Sequence, residues 1–295
     1  MTKPYGYIQI DSPQMDAVSF IRPKAYQIAD YFMSMDDTEH QGRIINECGD
    51  CMKTYPCRRL VTNSRALPCR HRHCPICRHW KSERWQDQAK QFLSRVASAG
   101  NTAYWLVLTL PGERSFVNCL KPRVDHMENA FSRLTSQRFA QHILGCIRFF
   151  EVDQATDDDR IAVPRFRCLL LVTQSFHNGP DFIPRDDWAE MWRHHLHMRD
   201  TPEVYLKRIE GDSEATSMSV LSEISQSINC PDRLPSKCWF LEMANQLHGV
   251  PEIDVSGVLW PWFREQLKNQ ASDLFRERRY SVPVPTSPAY SGFAK

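Results

Sequence analysis

Hydrophobic positions recur along the chain with two periods. From Trp80 to about Ser98, the residues Trp85, Ala89, Phe92, Leu93 and Val96 return at helical spacing, which predicts an amphipathic helix. "AYWLVLTL" (103–110) follows as a buried strand ended by Pro111 and Gly112. Met127, Ala130, Phe131 and Leu134 predict a helix over 123–143. "CIRFFEV" (146–152) reads as a second strand, the acidic "DQATDDDR" as a turn, and "FRCLLLV" as a third strand. "PRDDWAEMWRHHLHM" (184–198) is a helix with Trp188, Met191, Trp192 and Leu196 as its buried stripe and Asp186 or Asp187 suited to cap it. "VYLKRIE" (204–210) is a fourth strand, and "MSVLSEISQSI" (218–228) a helix with Val220, Leu221, Ile224 and Ile228 inward.

The order strand, helix, strand, strand, helix, strand is the split βαβ pattern. It predicts an α+β fold of the RRM or ferredoxin-like kind: an antiparallel sheet with helices on one face. The other face would stay open, and such open faces commonly bind nucleic acid. Around this unit the chain divides into an N-terminal extension (1–42) with room for a short helix, a turn-rich cysteine module (43–79), the sheet domain (80–232), a helical extension (233–280) with a short "EIDVSG" strand or turn, and a Pro/Ser-rich tail (281–295) expected to be disordered.

Charge changes the picture only locally. The net charge is +2, but between Arg43 and Lys90 eleven Lys/Arg face four Asp/Glu, a balance of +7 that leaves −5 for the rest. A basic segment on a mildly acidic body is a plausible footprint for a phosphate backbone, and equally an ordinary solvated face. The expected contacts are Arg70, Arg72, Arg78, Lys81 and Arg84. Apolar runs are too short to span a membrane, and the N-terminus lacks the pattern of a secretory signal, so a cytoplasmic protein with no membrane partner is expected.

Six of the eleven cysteines fall between Cys48 and Cys77. Two C-x-x-C pairs, Cys48/Cys51 and Cys74/Cys77, are separated by 22 residues, a spacing that lets two tight turns aim four thiolates at one tetrahedral ion. Cys69 is the strongest rival to Cys51, and Cys57, His71 and His73 are surplus candidates. Buried reduced cysteines are the alternative, disfavoured by a neighbourhood too polar to bury them. A structural zinc is the expected cofactor, its role to fold a segment that cannot build its own core.

The strand "IAVPRFRCLLLV" (161–172) poses a separate question: alternation sends Arg165 and Arg167 to one face, and Phe166, Cys168 and Leu170 to the other. Two permanent cations side by side either bind phosphate bidentately or pair with acids such as Glu151 on the neighbouring strand.

Taken in order, "CRHRHCPIC", "LVLTL", "FFEV", "PRFRCLLLV", "DDWAEMW", "SEISQSI" and "HGVPEIDVSGVL" resemble the rolling-circle replication initiators of small bacterial plasmids, which have a His-hydrophobic-His nuclease fold. The resemblance runs from about Cys48 to Phe263. It implies DNA (an origin-like duplex, hairpin or single strand) as partner, and replication or host proteins beside it. In that family two histidines flanking an aromatic on the third strand grip a divalent cation; here Arg165 and Arg167 flank Phe166. A guanidinium cannot ligate a cation, so no catalytic divalent metal is expected. The family's tyrosine nucleophile lies four residues after a glutamate; here Glu223 is followed by Ser227, with Gln226 where a lysine is usual.

Three functions compete. The first is a DNA-binding, replication-associated or regulatory protein of the initiator fold that no longer cuts. The second is a strand-transferase or nickase using Ser227, with Glu223 as base and Arg165 and Arg167 in place of metal. The third is a zinc-dependent protein-interaction scaffold.

Overall fold

The computed structural model describes residues 8–9, 12–48, 65–66, 68–98, 104–210, 213–229, 233–261 and 264. Its elements, in chain order, are β1 (Ile8–Gln9), α1 (Ser12–Met33), α2 (Glu39–Asn46), β2 (Arg65–Ala66), α3 (Pro75–Ser98), β3 (Tyr104–Pro111), β4 (Ser115–Phe116), α4 (Leu120–Leu134), β5 (Ile143–Gln154), β6 (Ile161–Val172), α5 (Gln174–Asn178), α6 (Arg185–Leu196), β7 (Tyr205–Ile209), α7 (Ser213–Ile228), α8 (Lys237–Gln246) and β8 (Ile253–Gly257). Cys51, Cys57 and the tail lie outside the described residues.

The main sheet runs β7-β3-β6-β5-β8, with β4 pairing the start of β6 and every neighbouring pair antiparallel. The first four of these strands, with α4 and α6 as crossovers, are the split βαβ unit that the alternating pattern predicts. β8 adds a strand beside β5, from Gly145↔Gly257 to Phe149↔Ile253. "EIDVSG" is therefore a sheet edge.

One expectation is corrected. Crossover helices α4 and α6 cover one face, where Phe166, Cys168 and Leu170 meet Met127, Ala130, Trp188 and Trp192. The opposite face is covered as well: Leu169, Leu171, Ile147 and Val107 pack against Trp85 and Leu93 of α3 and Val220 and Ile224 of α7. The sequence carries the physical reason. "CLLLV" does not alternate, because both faces of the inner strands are apolar and both need cover. Toward the start of β6, at Val163, Arg165 and Arg167, that second face becomes half-exposed.

A third core cluster joins segments far apart in the chain. Ile28, Phe32 and Ile45 from α1 and α2 pack with Cys48, Cys74, Ile76 and Trp80, and with Trp239, Phe240 and Met243 of α8. The N-terminal extension thus holds a 22-residue helix with Pro23 inside it, where only a short one was read. Its buried stripe, Val18, Ala25, Ile28, Ala29 and Phe32, is narrow and two-fifths alanine, hence quiet as a pattern. α2 approaches α1 so closely at Gly42 that a Cβ there would overlap Met33 Cγ and the Ala29 carbonyl. Two boundaries also shift. The helix predicted to reach residue 143 ends at Leu134. Asp186 and Asp187 lie inside the first turn of α6, after Pro184, and make no side-chain cap.

Candidate functional sites: a cysteine centre and the β6–α7 face

Four cysteines converge at the entrance to α3. Cys48 follows α2, Cys69 follows β2, Cys74 precedes α3, and Cys77 lies in its first turn. Their Sγ atoms all lie within 4.8 Å of one another. Cys77 Sγ is 3.5 Å from Cys48 Sγ and 3.6 Å from Cys69 Sγ. A tetrahedral zinc with bonds of about 2.3 Å sets its sulfurs about 3.8 Å apart, so the cluster has the size that ion requires. Backbone donors also point at the sulfurs: Cys69 N–H donates to Cys48 Sγ at 3.4 Å, and Arg70 N–H to Cys77 Sγ at 3.2 Å. Such donors favour thiolate. The Cys77 thiol is held below its ordinary range by hydrogen bonds from Cys48, Cys69 and Cys74, joined by the Arg70 N–H. Arg70 reaches that position with φ 59°, the left-handed region that non-glycine residues rarely adopt. The arrangement can hold a metal ion such as zinc, through Cys48, Cys69, Cys74 and Cys77.

Cys69, the rival in the sequence reading, is thus brought into the cluster. The two nearby histidines are not. His71 Nε2 lies 3.2 Å from Gln41 Oε1, and its ring meets Phe32 edge-on. His73 packs against Phe240, and burial drives its pKa down to about 3. Both serve the core.

Three of the five expected DNA contacts are committed elsewhere. Glu252, just before β8, accepts Arg72 Nε at 3.0 Å, Arg78 Nη1 at 2.9 Å and Lys81 Nζ at 2.6 Å. Arg72 Nη1 also donates to the carbonyls of Leu247 at 2.8 Å and Val250 at 2.7 Å. Burial pushes the Glu252 carboxyl up, but Arg78, Lys81 and Arg72 outweigh it and hold its pKa at about 2. These cations tie the knuckle and the start of α3 to the sheet edge. Arg70 and Arg84 are exposed. No local signal in the sequence marks Glu252; its partners lie more than 170 residues away.

On the β6–α7 face, the structure brings together residues that the sequence places 56 apart. Arg167 Nη2 contacts Glu223 Oε2 and donates to Gln226 Oε1 at 3.3 Å. Lys207 of β7 donates to the other Glu223 oxygen at 3.4 Å. Glu223 is 6% exposed. Arg165, two positions earlier on β6, donates to Glu151 at 2.7 Å and Asp153 at 2.6 Å. Acid pairing is therefore the arrangement seen for both arginines. Ser227 is buried one helical turn beyond Glu223, and its Oγ has no hydrogen-bond partner among the described residues. Lys207 and Asp153 were missed by sequence reasoning, because the packing of α7 on the sheet brings in the first and cross-strand register the second.

A split βαβ sheet is thus entered by a cysteine knuckle, and its arginine strand faces a helical glutamate. The family model described as "Replication protein" matches residues 61–281, and the chain belongs to that family, of plasmid replication initiator-like Rep proteins. A "Protein rep" of Bacillus amyloliquefaciens is 23% identical over 161 residues, 54% of this chain and 47% of that relative. A "Protein rep" of Lactiplantibacillus plantarum is 23% identical over 162 residues, 54% of this chain and 51% of the relative. The chain spans about half the length of the curated relatives it matches. No solved structure matches it significantly. No helix among the described residues is long and apolar enough to cross a membrane.

Proposed function

We propose that the chain is a DNA-binding, replication-associated protein that does not cut DNA by the metal-and-tyrosine route. One observation supports this above the rest: Arg167 and Glu223 meet in an ion pair, with Ser227 buried one turn on. In the initiators the chain resembles, these positions carry a metal ligand, the glutamate that directs water, and the tyrosine. On this reading the positions of a catalytic constellation carry an arginine for the metal ligand and a serine for the tyrosine, with the glutamate engaged in an ion pair. A guanidinium has no lone pair for a cation and stays charged. The carboxylate that would steer water is held by Arg167 and Lys207.

Phosphate gripping by Arg165 and Arg167 is equally disfavoured. With Lys207 they sum to three positive charges, against three negative charges on Glu151, Asp153 and Glu223. An incoming phosphate meets a neutral cluster whose cations already have acceptors. DNA contact belongs instead to the basic cysteine-centre segment, where four thiolates would hold a structural zinc and fold the cation-bearing loop. The role is replication-linked regulation or recruitment, with an origin-like duplex, hairpin or single strand as the DNA partner.

The Ser227 nickase finds no support in the geometry, because Glu223 has its oxygens on cations and makes no hydrogen bond to Ser227 among the described residues. A supercoiled-plasmid relaxation assay with Mg²⁺ or Mn²⁺ separates the readings. The expected result is intact supercoils. Nicked circles lost in Ser227→Ala would establish the serine route, and a tyrosine-linked adduct would overturn the proposal outright. DNA binding without salt dependence would point to the scaffold reading instead.

A further inference from the structure

α3 is 24 residues long and buries one side. Ser82, Trp85, Ala89 and Leu93 are turned inward, Trp85 meeting Phe149 of β5. Lys81, Arg84, Gln88, Gln91 and Arg95 follow one another at steps of three and four residues, which places them in one row along the helix. Arg84, Gln91 and Arg95 are exposed, and Lys81 and Gln88 partly so. The row contains no acid. Asp87, on the adjoining strip, is paired with Lys90 at 3.3 Å.

The row is also continuous with the cysteine centre. Cys77 lies four residues before Lys81 on the same strip, and its sulfur accepts the Arg70 N–H. The left-handed turn at Arg70 therefore brings its backbone beside the first turn of the helix. From Cys77 to Arg95 the helix advances about 27 Å, and from Arg84 to Arg95 about 16 Å, at 1.5 Å per residue.

We infer that this row is the interface for duplex DNA, with α3 laid against the major groove. This rests on the DNA-binding reading above and names the surface that serves it. The groove is about 12 Å wide and admits a helix. Arg84 and Arg95 are spaced to reach phosphates on its two sides, and Gln88 and Gln91, one turn apart between them, present the amide that pairs bidentately with adenine. The charge sign fits the duplex, and the amide-rich middle fits base edges better than it fits a purely electrostatic contact.

The test is an anisotropy titration of the full chain with a random-sequence duplex pool, and with the same pool as single strands, across a salt series. R84A/R95A is expected to weaken duplex binding about tenfold and to lower the log–log salt slope by about 2. Q88A/Q91A is expected to leave the slope unchanged and to flatten the sequence preference recovered by selection from the pool. Both pairs are on the surface, and unchanged circular dichroism and metal content would show that the variants fold. Duplex binding that is indifferent to R84A/R95A, or binding of single strands alone, would overturn this interface while leaving the DNA-binding reading intact. Absence of binding to either pool would overturn that reading itself.

Discussion

The cysteine centre and the β6–α7 face are both places where the fold gathers polar side chains from distant segments, and they differ in whether the gathering closes on itself. At the centre, four sulfurs of one kind converge, with backbone N–H groups aimed at two of them. Deprotonated, that set would carry only negative charge, so its sulfurs suit a cation from outside. On the β6–α7 face, Arg165, Arg167 and Lys207 converge with Glu151, Asp153 and Glu223, and each charge finds its opposite. On the proposed reading, that set is complete in itself. Like groups brought together suit a partner of opposite charge, whereas complementary groups brought together satisfy one another.

The contrast can be broken first at the centre. Cys74→Ser removes a sulfur from a fully buried position. Structural zinc supplies on the order of 10 kcal/mol of folding free energy in small zinc domains. The expected outcome is loss of bound zinc and rapid proteolysis within α1 and α2, read by metal analysis and limited digestion.

Glu252→Gln comes next. It leaves Arg72, Arg78 and Lys81 without their shared carboxylate, and breaking this partly buried three-way pairing should cost about 3 kcal/mol or more, measurable by urea unfolding. A pH dependence accompanies it. The folded pKa of Glu252, about 2, lies below its unfolded value, so its contribution is fully present above the unfolded pKa of about 4.3 and is lost as pH falls toward 2. The variant should lose that part of the acid dependence.

On the β6–α7 face the effects are smaller. Glu223→Gln should destabilise by about 3 kcal/mol, and a cycle with Arg167→Met should show that much of this is the cost of leaving Arg167 unpaired. Arg165→Ala, at a pair one-third exposed on the arginine side, should cost under about 1 kcal/mol. A loss of DNA affinity in Arg165→Ala exceeding its loss of stability would reopen phosphate binding there.

Alternating and helical periods are local properties, and they made the split βαβ order readable from the chain. What they missed was set by partners far away in sequence. The second sheet face was covered because Leu169 and Leu171 needed α3 and α7, and the unbroken "CLLLV" run was the available sign of it. α1 was nearly silent because alanines make up so much of its buried stripe. Spacing marked the cysteines as a candidate metal site without choosing among them, since Cys69 enters through the turn at Arg70 and not through a C-x-x-C pair. Glu252 had no sequence signature. The pairing of Arg165 with Glu151 was visible as one of two options, and cross-strand register decided it.

Binding without scission depends on the β6–α7 face having no place for a divalent ion. A titration of Mn²⁺ into the zinc-loaded chain, followed by electron paramagnetic resonance, examines that directly. The ion pairs predict a free-ion signal that is the same for the native chain and for Glu223→Gln. One Mn²⁺ held per chain, and released by Glu223→Gln, would contradict the account.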